Sequence, residues 1–134
     1  MKNHYLFLIL LSVVVLGTAV YGFMDGGSPR ATLNNRNDLT RYQDIQTLSN
    51  GVKNYYKNFR ELPQITYALT AGSSGLSEIP TDPETKSAYN YKILSSTDFE
   101  LCATFATDTR NSQNNTDSQN HPSGYYCYKF QASF

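Results

Sequence analysis

Apolar side chains recur through residues 38–59 at the spacing of one helix face. At about 100° per residue, Tyr42, Ile45, Leu48, Val52, Tyr55, Tyr56 and Phe59 fall within an arc of roughly 140°, with Gln43, Asn50 and Asn54 outside it. Asp38 to Phe59 is therefore predicted to be a long amphipathic helix. Most of the stability of such a helix comes from packing its apolar stripe on a partner surface. Asp38 and Asp44 lie early and Lys53, Lys57 and Arg60 late, which suits the macrodipole. Gly51 costs the helix about 1 kcal/mol relative to alanine. It is read as having no specific role, with close approach of a strand as the alternative.

Upstream the pattern is apolar all round. No charged residue occurs from Tyr5 to Met24, and Leu6 to Leu16 is interrupted only by Ser12. About twenty residues rising ~1.5 Å each match a hydrocarbon core of ~30 Å. Residues 1–24 are expected to form a single-pass transmembrane helix. The rival is a cleaved signal peptide, with Lys2 as its basic start and Ala19 or Gly22 near the cleavage position. Lys2 stands on one side of this span, and Arg30, Arg36 and Arg41 lie within reach of the other. Gly26, Gly27 and Pro29 interrupt helical propensity, so residues 25–35 read as a flexible linker, with Asn35 and Asn37 as N-cap candidates.

Downstream the period changes to two. Leu62-Pro63 ends the helix, Gln64 to Leu69 allows one further turn, and residues 71–75 are loop by composition. In the stretch Ile79 to Thr85, Pro80 and Pro83 remove donors, and Asp82 is placed to accept backbone N–H groups, giving a rigid corner. Strands are predicted where Tyr89, Tyr91 and Ile93 alternate with polar residues, where Phe99, Leu101, Ala103 and Phe105 share a face, and over Tyr125 to Phe130. Cys102 and Cys127 fall on the face away from their strands' apolar sets. If the last two strands are antiparallel neighbours, a cross-strand disulfide forms and contributes roughly 3–4 kcal/mol. Two unrelated thiols are the alternative, and a metal site lacks any C-x-x-C spacing.

The 134 residues leave room for one small domain after the apolar segment, residues 36–134. Eleven basic residues balance eleven acidic ones. There is thus no net field for polyanions, and no nucleic-acid partner is expected. Eleven tyrosines and no tryptophan suit half-buried surfaces with one wet end. Catalytic chemistry is sparse. His4 sits at the membrane edge, His121 in a loop, and no phosphate loop, zinc signature or nucleotide motif occurs, so no enzyme, cofactor or metal is expected. Asp108 and Asp117 are an incomplete calcium set, Asn114-Asn-Thr116 matches a glycosylation sequon, and Tyr125 is a candidate ligand platform.

The order of elements resembles a type IV pilin-like or type II secretion pseudopilin-like protein. The resemblance rests on Tyr55-Tyr-Lys-Asn-Phe-Arg-Glu-Leu-Pro63, Ile79-Pro-Thr-Asp-Pro83 followed by Tyr89-Asn-Tyr91, Phe99-Glu-Leu-Cys-Ala-Thr-Phe105, and His121-Pro-Ser-Gly-Tyr-Tyr-Cys127. It implies an α+β fold: an N-terminal transmembrane helix, then a long amphipathic helix packed on a small antiparallel sheet. It also implies a non-enzymatic component of a type IV pilus or type II secretion-like system, anchored in a bacterial cytoplasmic membrane with its C-terminal domain extracytoplasmic. The implied partners are other pilin-like or secretion-machinery proteins. The prepilin peptidase signature is missing, since Met1-Lys-Asn-His-Tyr5 offers neither glycine nor glutamate. The expectation is therefore an uncleaved anchor and an accessory role. The alternative is a tethered extracytoplasmic binding module for glycan, DNA or peptide.

Overall fold

The computed structural model describes residues 2–25, 28–64, 66–70, 74–110 and 119–132. It is α+β, with helices α1 (Lys2–Asp25) and α2 (Pro29–Phe59), a short 3-10 helix (Thr66–Thr70), and strands β1 (Asn90–Ile93), β2 (Asp98–Phe105) and β3 (Gly124–Gln131). The chain divides into two compact units, Met1–Leu33 and Asn34–Phe134.

In the first unit, the stretch His4–Gly22 of α1 is long and apolar enough to cross a membrane, and none of it is buried. Its large apolar side chains, from Tyr5 to Tyr21, stand exposed, an arrangement suited to lipid rather than water.

α2 begins earlier than expected. Residues 29–35 are helical, not a flexible linker, and Gly26 and Gly27 lie outside the described residues. The cap is Ser28 rather than Asn35 or Asn37. Its side-chain oxygen accepts the Ala31 N–H at 3.2 Å and its carbonyl accepts the same group at 2.9 Å. Pro29 then occupies the first helical position, where a missing N–H costs nothing. The proline read as a break is the start. At the other end Arg60 takes a left-handed conformation, φ 59°, and its N–H reaches the Tyr56 carbonyl at 2.7 Å, which closes the helix. Leu62 and Pro63 then turn inward and are buried.

The second unit is built on a three-stranded antiparallel sheet in the order β1-β2-β3. Its register pairs Phe99 with Phe130, Leu101 with Tyr128 and Ala103 with Tyr126, so one face is continuously apolar. That face, together with Leu62, Leu69, Tyr89 and Ala132, forms one buried cluster with Ile45, Leu48 and Val52 of α2. Each fully buried aliphatic or aromatic side chain contributes roughly 1.5–3 kcal/mol of transfer free energy. Tyr55 and Tyr56 pack half-buried against this core, and Tyr42 meets Tyr128 edge-on at 5.8 Å. Phe59 is the exception on the predicted face. It is 51% exposed and rests on the Tyr55 ring at 4.5 Å. Gly51 is buried, and what approaches it is Leu76, not a strand.

Candidate functional site

Polar chemistry gathers where the first turns of the α2 stripe meet the corner at residues 79–89. Asp38 and Arg41 project onto the same arc as the apolar residues and are both 3% exposed. A buried guanidinium needs its N–H groups satisfied, and here carboxylates do it. Arg41 Nε donates to Asp82 Oδ2 at 2.6 Å and Nη1 to Asp38 Oδ1 at 2.9 Å. Nη2 donates to Asp82 Oδ1 at 3.2 Å and to Glu84 Oε2 at 2.9 Å. Arg41, one of the basic residues that follow the apolar segment, thus has its head engaged inside the domain by three carboxylates.

Asp82 and Asp38 are also anchored to backbone. Asp82 Oδ1 accepts the Glu84 and Thr85 N–H groups, both at 2.9 Å, the Asx-type geometry that stiffens the Pro80-to-Pro83 corner. Burial alone would push the Asp82 carboxyl up, but the Arg41 hydrogen bonds, the two backbone donors and the nearby positive charge hold it at about 2. Asp38 accepts the Ala106 N–H at 3.0 Å and the Thr107 N–H at 2.8 Å, so it ties α2 to the end of β2. The Arg41 guanidinium is raised above its ordinary range. The Asp82 hydrogen bond is the largest cause, ahead of an opposing desolvation.

One turn along, Tyr89 Oη donates to Asp44 Oδ2 at 2.7 Å. Burial pushes the Asp44 carboxyl up, and the Tyr89 hydrogen bond only partly offsets it. Tyr89 is pushed well above a normal phenol by burial and then by Asp44.

The opposite face of the sheet carries the second feature. Cys102 and Cys127 are cross-strand partners and form a disulfide, as strand parity predicted. Glu100, Cys102 and Cys127 present ligand atoms within 4.8 Å of one another, but disulfide sulfurs offer no thiolate to a cation. Beside the disulfide, Asn90 Nδ2 donates to the Tyr125 hydroxyl at 3.2 Å, which holds an exposed ring in place. Tyr125, Asn90 and Cys102 border a cleft of about 340 Å³ whose far side is the corner.

His121 and Asp108 are each held by neighbouring groups. His121 is buried with its ring stacked on Phe105 at 3.8 Å. Its backbone pairs with Thr109, whose N–H donates to the His121 carbonyl at 2.9 Å, so it closes the base of the β2–β3 connection. Asp108 is engaged by Arg110, whose hydrogen bonds hold the carboxyl at about 2. Asp117 and Asn114 lie outside the described residues. The structure brings together Asp82 of the predicted corner with Asp38, Arg41 and Glu84, a grouping that neither periodicity nor charge placement predicts. The available signal was that Asp38 and Arg41 fall within the apolar arc at a spacing of three. No family model, curated protein or solved structure matches the chain.

Proposed function

We propose that this is a membrane-anchored, non-enzymatic pilin-like protein whose extracytoplasmic domain acts by protein–protein contact as an accessory component of a type IV pilus or type II secretion-like machine. The observation that carries the reading is the order of parts: an exposed apolar helix, His4–Gly22, followed by a helix-on-sheet domain closed by Cys102–Cys127. A disulfide favours an oxidising compartment, which supports a C-out orientation. The ionic corner and the stacked His121 serve the architecture of the domain, which accords with a role in contact rather than turnover.

Cross-linking in native membranes, followed by identification of captured proteins, tests it. Recovery of pilin-like or secretion-machinery subunits is the expected result, and their consistent absence would sink the proposal. Intact-mass measurement separates anchor from leader. A chain starting at Met1 is expected, and loss of the first 19 to 22 residues would make this a released domain.

A further inference from the structure

We propose that the cleft beside Tyr125 binds a neutral carbohydrate. Its volume of about 340 Å³ lies within the roughly 300–1,000 Å³ of small-molecule sites. One wall is the Tyr125 ring, 61% exposed yet fixed at its tip by Asn90. A large exposed aromatic held in a set orientation offers a flat apolar face at little ordering cost, which suits the C–H face of a pyranose.

The polar groups around that ring are unspent in a particular way. In the Asn90–Tyr125 contact the amide donates and the hydroxyl oxygen accepts, so the chemistry of the pair still includes a phenol O–H donor and an amide carbonyl acceptor. Ser87 and Thr104 bring hydroxyls, and among the described residues Glu84 engages Arg41 through Oε2, with Oε1 as a further acceptor. Mixed donors and acceptors match sugar hydroxyls, each of which both donates and accepts.

Charge decides against the main competitors. Among the described residues the cation bordering the cleft is Arg41, and its Nε, Nη1 and Nη2 groups donate to Asp38, Asp82 and Glu84. Asp82 and Glu84 leave the site net negative, so phosphate-bearing ligands such as nucleic acid meet no free donor of the right sign. This inference stands whether or not the domain joins a filament machine.

The test uses the full chain in a zwitterionic detergent, since alkyl glycosides would present sugar head groups. Chitotetraose, cellotetraose and maltotetraose are titrated separately while tyrosine ring resonances are followed by NMR. Saturable shifts with at least one of them are expected at low-millimolar concentration. Tyr125→Ala is expected to weaken binding at least about tenfold, as for loss of a central aromatic anchor, and Tyr125→Phe only a few-fold. Intact mass and near-ultraviolet dichroism verify the disulfide and fold of each variant. The proposal is overturned by absence of saturable shifts with all three sugars, by binding that Tyr125→Ala leaves unchanged, or by an oligothymidylate displacing the sugar from the same resonances.

Discussion

Along one face of α2, Ile45, Leu48 and Val52 meet the sheet through apolar contact, whereas Asp38 and Arg41, one to two turns earlier, meet the corner and the end of β2 through charge. The two stretches share a stripe and a depth of burial. They differ in what they specify. Apolar burial scales with area and is indifferent to which loop supplies it. The Arg41 fork aims Nε, Nη1 and Nη2 at particular oxygens of Asp38, Asp82 and Glu84, a directional match that any other segment in that place would have to reproduce. The cost is desolvation of several charges, which makes such a cluster a poorer source of net stability than of register. Specificity at this end is therefore a hypothesis that substitutions can separate from stability.

The largest effect is expected at Arg41. Arg41→Ala leaves the Asp38 and Asp82 carboxylates buried without their cation, and such losses run to about 3–5 kcal/mol. Chemical denaturation of the full chain, followed by near-ultraviolet tyrosine dichroism, measures it. A loss under about 1 kcal/mol would show that the backbone donors to Asp38 and Asp82 suffice alone. Leu48→Ala probes the apolar half and is expected to cost about 2–5 kcal/mol through lost transfer energy and the cavity left behind. The two variants should differ in kind: the Arg41→Ala deficit shrinks in acid as the stranded carboxylates protonate, while the Leu48→Ala deficit stays level with pH. Parallel pH dependence would erase the distinction between the two halves.

The apolar half was legible from sequence and the ionic half was not. Periodicity found Ile45, Leu48 and Val52, and period-two alternation found the three strands to within a residue or so, because those signals arise from side chains that all want burial. The cysteine pairing followed from strand parity, a purely local count. Arg41 was missed because a charged residue on an apolar arc reads as an interruption until its partners are known, and Asp82 and Glu84 lie more than 40 residues away. Pro29 was misread for a different reason: the same residue that interrupts one helix can start the next, and only the Ala31 N–H, donated to Ser28, decides between the two. The cleft depends on Asn90 reaching Tyr125 across the sheet, a contact fixed by strand order rather than by either residue's neighbours.

Acid should probe the ionic half without any truncation. The Asp82 carboxyl is lowered from 3.8 to about 2 in the folded protein. A group depressed on folding contributes stability that is fully present above its unfolded value and lost as pH falls through its folded value. About 2 kcal/mol is therefore expected to disappear between roughly pH 4 and pH 2. Asp44 acts with the opposite sign, since burial raises its carboxyl and protonation relieves it. Comparison with Asp82→Asn isolates the window. The stability gap between wild type and variant should narrow on acidification, and a gap constant from pH 5 to pH 2 would mean that Arg41 gains nothing from the Asp82 charge.

The smallest effect is expected within the apolar half, at Gly51. A methyl group there would lie 2.7 Å from Leu76 Cδ1 and 3.2 Å from its Cγ, so Leu76 must move. Its Cδ1 is the end of a flexible side chain that is only half-buried, and a displaced rotamer costs about 0.5–1.5 kcal/mol. Against this, alanine gains the helix about 1 kcal/mol over glycine. Gly51→Ala should therefore fall within about 1 kcal/mol of wild type in the same denaturation experiment. A loss above about 2 kcal/mol would show that Leu76 is locked in place, making this part of the apolar half as directional as the Arg41 cluster.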